Sequence, residues 1–326
     1  MRVFDIGFYD GQDSHYYLER GFEVIAFEAN PILFETGQNH FAEAIASGQL
    51  QLHNLGIGAE SGNQVDFFIH NDSEEWSTFY REAAINWGIG KSRITQVPCI
   101  TPKEMFAQFG CPDYLKSDIE GFDILVADEL QNLTNKPSLV SFEASNIRLL
   151  KSLVLAGYQS FKMVDQTRVP LQVVKDEKTS IEFRFRGGTG PFGDDAEGEW
   201  LSFENAHYLF FRFVHDPFSS STPEGHWFDI HASTKPPGLN EGQQRDYLLR
   251  LIGKTYNGHC GMKYSNFTPH CPVKPLAHSI IGNNEIDLLR KHLGAIQSSL
   301  EWKLAWRVFY LANRIFSFFR RVFESK

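Results

Sequence analysis

The residues best suited to chemistry in this sequence are acids, and they gather in two short strings. In DIGFYDGQDS at 5–14, Asp5, Asp10 and Asp13 surround Gly7 and Gly11; in LKSDIEGFD at 115–123, Lys116, Asp118 and Glu120 alternate. Strand periodicity would put those last three on one side of a strand end. Two carboxylates so placed disfavour each other's ionisation, which lifts one toward the range of a general base, with Lys116 opposing the lift. The alternative is a salt-bridged strand end, in which Glu120 caps the next turn and Lys116 neutralises Asp118.

The first string reads as a buried strand running into a glycine turn and then a helix. Glycine lets backbone approach a ligand, and amides at a helix start suit an electronegative group. Glu28 follows Asp5 by 23 residues, in EVIAFEANP. At the end of the second strand such a carboxylate can accept both hydroxyls of a ribose. A dinucleotide fingerprint would be G-x-G-x-x-G, whereas here the glycines are spaced G-x-x-x-G among three carboxylates that would repel a diphosphate. Cationic groups suit them better, such as the ammonium and sulfonium of S-adenosylmethionine. Asp10 and Asp13 can also be read as caps of the following helix.

An α/β frame must position these groups. Strands are expected near 3–7, 23–28, 51–57, 64–69, 114–118 and 138–143, and helices near 14–20, 32–46, 102–109, 122–129 and 147–156. That alternation predicts a Rossmann-like parallel sheet with helices on both faces. Asp5, Gly7, Glu28, Asn54, Asp118 and Glu143 then stand at strand ends, where doubly wound sheets bind ligands.

DIGFYDGQDS, FEANP at 27–31, HNLGIG at 53–58, EWSTF at 75–79, PDYLKSDIEGFD at 112–123 and SFEAS at 141–145 together resemble the FkbM family of S-adenosylmethionine-dependent methyltransferases over roughly residues 3–165. GTGPFGDD at 188–195 is similar to a loop in one branch of that family. The resemblance implies a class I methyltransferase sheet, with S-adenosylmethionine held by Asp5, Gly7, Asp10, Gly11, Glu28, Asn30 and Asn54. It places Trp76 and Ser77 near the acceptor, while the residues themselves make Asp118, Glu120 and Lys116 the catalytic candidates and Glu143, at the end of the next strand, a candidate for acceptor binding or metal coordination. Many members carry Ala-Asn in place of Phe8 and Tyr9, which points to a reshaped methionine end. The acceptor implied is a hydroxyl on a sugar, glycolipid or secondary metabolite. Glu143 has a simpler reading as a partner of Arg148, and Trp76 and Ser77 as ordinary turn residues. The competing function is a non-catalytic cofactor-binding or scaffold protein, against which the intact Asp5, Glu28, Asp118 and Glu120 speak.

Composition bounds the remainder. The chain has 326 residues, 42% apolar and 22% charged, enough for a full core plus additions. A net charge of −9 argues against a main role in holding nucleic acid. Four cysteines, no visible export signal and no apolar run long enough to span a bilayer fit a reducing cytoplasm. His259–Cys260 and His270–Cys271 are adjacent pairs, a spacing that does not suit zinc, and no metal site is expected.

The expected organisation is a methyltransferase domain at 1–185, a loop-rich acceptor-side region at 186–299 and a basic amphipathic helix at 300–326. The middle region should hold a strand at 206–214 and helices at 240–252 and 285–299. The last segment carries +4 against −13 for the remainder, with a Phe-lined heptad seam edged by Arg307, Arg314 and Arg321. It suits a membrane surface, a dimer seam or docking on its own domain, leaving the protein cytoplasmic or peripheral to a membrane.

Overall fold

A computed structural model describes residues 1–88, 90–175, 182–213 and 227–262. The first half alternates strands and helices: β1 (Arg2–Ile6), α1 (Gln12–Glu19), β2 (Glu23–Glu28), α2 (Pro31–His40), α3 (Ala42–Ala46) and β3 (Leu50–Asn54). A side sheet follows, from β4 (Gly56–Ile57), β5 (Gly62–His70), α4 (Arg81–Trp87) and β6 (Ser92–Ile100). Then come α5 (Pro102–Phe109), β7 (Tyr114–Ser117), α6 (Asp123–Glu129), β8 (Leu139–Glu143), α7 (Arg148–Leu155) and β9 (Ser160–Asp165). The described remainder holds β10 (Val173–Lys175), β11 (Glu182–Arg184), α8 (Phe203–Phe213), β12 (Phe228–Ser233) and α9 (Glu241–Met262).

The main sheet has the order β3-β2-β1-β7-β8-β12-β9. β3, β2, β1, β7 and β8 run parallel, while β12 is antiparallel to both β8 and β9. The chain builds outward from β1 to β3, then returns to the other side of β1 with β7. That reversal is a topological switch point, and ligands bind in the crevice it opens at the carboxyl ends of the strands. The sheet draws on residues on both sides of position 185, since β12 fills the gap between β8 and β9.

Period-two alternation sorts β1 between two cores. Phe4 and Ile6 join Phe142, Leu149, Leu153 and Phe210 on one face, and Val3 joins Tyr16, Tyr17, Tyr114 and Phe192 on the other. Asp5 shares the Val3 face. On β7, Tyr114 and Lys116 share that face too, and the register sets Lys116 opposite Asp5. A buried charge pair between adjacent strands follows from register alone.

Three expectations are corrected. The helix expected at 32–46 breaks at Phe41, whose ring is buried against Phe8 at 5.5 Å between centroids. The strand expected at 206–214 is α8: Ala206, Leu209 and Phe210 are buried at helical spacing, not alternation. The string with Lys116, Asp118 and Glu120 does not continue as a strand, because β7 ends at Ser117. Glu120 and Gly121 follow with φ of 50° and 94°, so the chain turns there.

The helix expected at 240–252 is present as α9. His270, Cys271 and the helices expected at 285–299 and 300–326 lie outside the described residues. Among the described residues no helix is long and apolar enough to cross a membrane.

Candidate active site

A cavity of about 970 Å³ opens at the carboxyl ends of the parallel strands. That is at the upper end for small-molecule sites, room for a nucleoside and a second molecule. On the β1–β2 side it is lined by Gly7, Phe8, Tyr9, Asp10 and Glu28, and on the β7–β8–β12 side by Lys116, Asp118, Glu120, Glu143 and Asp229. Trp76 and Ser77 also line it.

Glu28 fixes the glycine turn as well as facing the cavity. Its two carboxylate oxygens accept from the backbone amides of Tyr9 and Asn30, each at 2.8 Å. Burial pushes its carboxyl up to about 7, against the pull of those two amides. Asn54 ties the end of β3 to β2 by donating to the carbonyls of Glu28 and Ala29. Asn30 caps α2, its side chain accepting from the Ile32 amide. Asn30 and Asn54 therefore brace Glu28 from behind, and neither lines the cavity.

Asp5 and Asp13 are buried and already partnered. Lys116 Nζ lies 3.1 Å from Asp5, 3.8 Å from Asp13 and 2.5 Å from the Gly7 carbonyl oxygen. Ser14 donates to the other Asp5 oxygen at 2.7 Å. Asp13 accepts from the amides of Thr189 and Gly190, both at 3.1 Å. Lys116 thus holds the turn together and is committed to Asp5 and Asp13. Asp10 stays at the cavity, 3.1 Å from the Arg186 guanidinium, and accepts from the Gln12 amide. Gly11 is the N-cap of α1 with φ of 77°, packed under Phe8 and Phe41.

Residues 186–190 close over this turn from the far end of the chain. Gln12 bonds both the Arg186 amide and the Gly187 carbonyl. Sequence reasoning missed Arg186 and Thr189 as partners of the turn, although the Gly-rich string itself was visible. It missed Gln166 and Asp229 altogether; the fully buried run FDIHAS with an acid at its second position was the available signal.

The opposite end of the cavity is acidic. Glu120 is pushed up to about 8 by burial first and then by the Asp118 charge, and Glu143 to about 10 by burial and then Asp118. Asp229 is also raised by burial. Asp123 supports the turn beneath, accepting from Ser117 at 2.7 Å. Glu143 does not meet Arg148, which pairs with Asp128 at 3.4 Å. The Ser77 hydroxyl is occupied by the Glu74 carbonyl at 2.6 Å and the His70 amide, leaving Trp76 half exposed beside it.

The raised values give a pH dependence. The fold favours protonated Glu28 and Glu120, whose unperturbed carboxyls lie near 4.5, so the folded chain binds extra protons above that pH. Stability then falls as pH rises from about 4.5 through 7 for Glu28 and through 8 for Glu120. The ligand-free protein should melt several degrees lower at pH 8 than at pH 5 by scanning calorimetry. An equal or higher melting temperature at pH 8 would contradict these assignments.

The strand order, with an antiparallel strand between β8 and β9 and a ligand crevice at the switch point, defines a class I methyltransferase fold. Residues 5–154 match the methyltransferase FkbM domain. Among solved structures, methyltransferase FkbM from Methylobacillus flagellatus KT aligns at 16% identity and a TM-score of 0.34, over 50% of this chain and 39% of that one. This chain therefore spans about two fifths of that relative's length. Precorrin-6y C5,15-methyltransferase from Geobacter metallireducens GS-15 aligns at 11% identity and a TM-score of 0.31, over 72% and 80%. No curated protein matches in sequence.

Proposed function

We propose that the protein transfers a methyl group from S-adenosylmethionine to a hydroxyl of a sugar, glycolipid or secondary metabolite. The observation that carries this reading is the division of one cavity into a turn-and-Glu28 half and a carboxylate half. The first half fits the cofactor: Gly7 lets backbone approach, Glu28 presents a buried carboxylate to a ribose, and Phe27, Leu55 and Ile57 line the cavity with apolar surface for a base. Asp10, at the cavity wall, offers its carboxylate to an ammonium group in place of the Arg186 guanidinium that now holds it at 3.1 Å. When bound, S-adenosylmethionine supplies the methyl, its C–S bond breaking with the electron pair left on sulfur as the new C–O bond forms.

What the chain itself must do is orient the acceptor and take its proton. Glu120, held near pH 8, is matched to a base working at neutral pH, and Asp118 beside it accepts a hydrogen bond from the same acceptor. Tyr9, Trp76 and Trp227 are 42%, 51% and 52% exposed and line the cavity, offering broad apolar faces for a sugar ring.

Full-length protein incubated with methyl-labelled cofactor and fractionated cell extract tests this. Label should appear in an ether on a hydroxyl-bearing product. Glu120→Gln should lower kcat by about 10²- to 10⁴-fold while KM for the cofactor holds. Label on nitrogen, or full turnover in Glu120→Gln, would overturn the assignment.

A further inference from the structure

The acidic half of the cavity also has the makings of an ion site. Asp118 follows β7, Glu120 sits in the turn after it, and Glu143 is the last residue of β8. One carboxylate oxygen from each lies within 4.8 Å of the other two. Among the described residues none of the three has an ion pair, since Lys116 is held by Asp5 and Asp13 and Arg186 by Asp10. Asp229 faces the same cavity, bonded to Thr189.

A second observation comes from a different element. Gln166, directly after β9, is 2% exposed and lines this cavity, yet among the described residues neither Oε1 nor Nε2 has a hydrogen-bond partner. Its backbone amide donates to the Trp227 carbonyl at 2.9 Å, which sets it at the end of β9 beside the start of β12. Across β12, Asp229 is in register with Glu143. A buried carboxamide without partners is costly unless a ligand completes it.

The geometry points to a binding site for one hard divalent cation, of the Mg²⁺ or Mn²⁺ class, formed by Asp118, Glu120 and Glu143 with Gln166 Oε1 as a neutral donor to the ion or to a water on it. All the donors are oxygens, and neither nitrogen nor sulfur is among them, which selects hard cations over zinc or copper. Oxygens around such an ion stand about 3 Å apart at neighbouring positions and about 4 Å at opposite ones, so three ligands within 4.8 Å need only a small closure. The ion would neutralise the cluster and favour loss of a proton from a hydroxyl bound to it, with the Glu120 oxygen that does not ligate the ion left to receive that proton. That last role rests on the methyl-transfer reading; binding of the ion does not.

Chelator-stripped full-length protein titrated with Mn²⁺, with free Mn²⁺ followed by electron paramagnetic resonance, tests the site. One Mn²⁺ per chain should bind with Kd of about 10⁻⁴ M or tighter and be displaced by excess Mg²⁺. Glu143→Gln should weaken binding by about tenfold or more, and the exposed control Glu60→Gln should bind as the parent does. Saturation of the parent only above about 10⁻³ M, or unchanged binding in folded Glu143→Gln, would overturn the site. Mn²⁺ binding without cofactor binding would count against the methyl-transfer reading alone.

Discussion

Replacing Lys116 with Met should cost about 3–5 kcal/mol of stability, a large part of the roughly 5–15 kcal/mol that a domain has. Asp5 and Lys116 are 0% and 3% exposed and Asp13 is 6% exposed, so water cannot take over the role of the ammonium. Removing it leaves two carboxylates facing each other in the core and frees the Gly7 carbonyl. The loss should appear as a lower urea midpoint with an unchanged slope. Because the damage is an uncompensated charge, adding Asp5→Asn to Lys116→Met should recover part of it. A Lys116→Met loss under about 1 kcal/mol would show that Lys116 is not the counter-charge of Asp5 and Asp13.

The second large effect concerns Gly7. An added Cβ there would lie 2.0 Å from the Asp118 carbonyl oxygen, and φ is +86°, a region that L residues avoid. Neither side can yield easily, since the Asp118 amide is itself bonded to the Ile6 carbonyl at 2.9 Å. Gly7→Ala must therefore separate β1 from the turn after β7, which are the two halves of the crevice. Gly48 provides the control: its φ is +77° but nothing lies within 4 Å of an added Cβ. Gly48→Ala should cost only the backbone penalty, about 1 kcal/mol, and Gly7→Ala about 3 kcal/mol or more. Equal losses in the two variants would mean the close approach at Gly7 is relieved without consequence.

Much of the frame was legible because a parallel sheet writes itself as short apolar runs ending in acids. The glycine turn, Glu28, Asp118 and Glu143 were found this way, Glu120 from alternation along its string and Trp76 from the family resemblance, and the structure brings all of them to one cavity. The direction of Lys116 was not legible, because it depends on which residue of β1 stands opposite. The register with Asp5 turns a residue grouped with Asp118 and Glu120 into the counter-ion of the first loop. Nor could spacing reveal residues 186–190 folding back on Gln12 and Asp13, or β12 placing Asp229 beside Glu143, since both join segments far apart in the chain. Ala206, Leu209 and Phe210 misled for a local reason: a run rich in apolar residues fits a short strand or a buried helix equally well.

The proposed methyl transfer requires the crevice between β1 and β7 to bind S-adenosylmethionine. Calorimetric titration of the full-length protein with S-adenosylmethionine measures that binding. One site per chain is expected, saturable at micromolar to sub-millimolar cofactor and weakened by about tenfold or more in Glu28→Ala, which removes the carboxylate proposed to hold the ribose. No heat of binding from folded protein at millimolar cofactor, or equal affinity in folded Glu28→Ala, would contradict it.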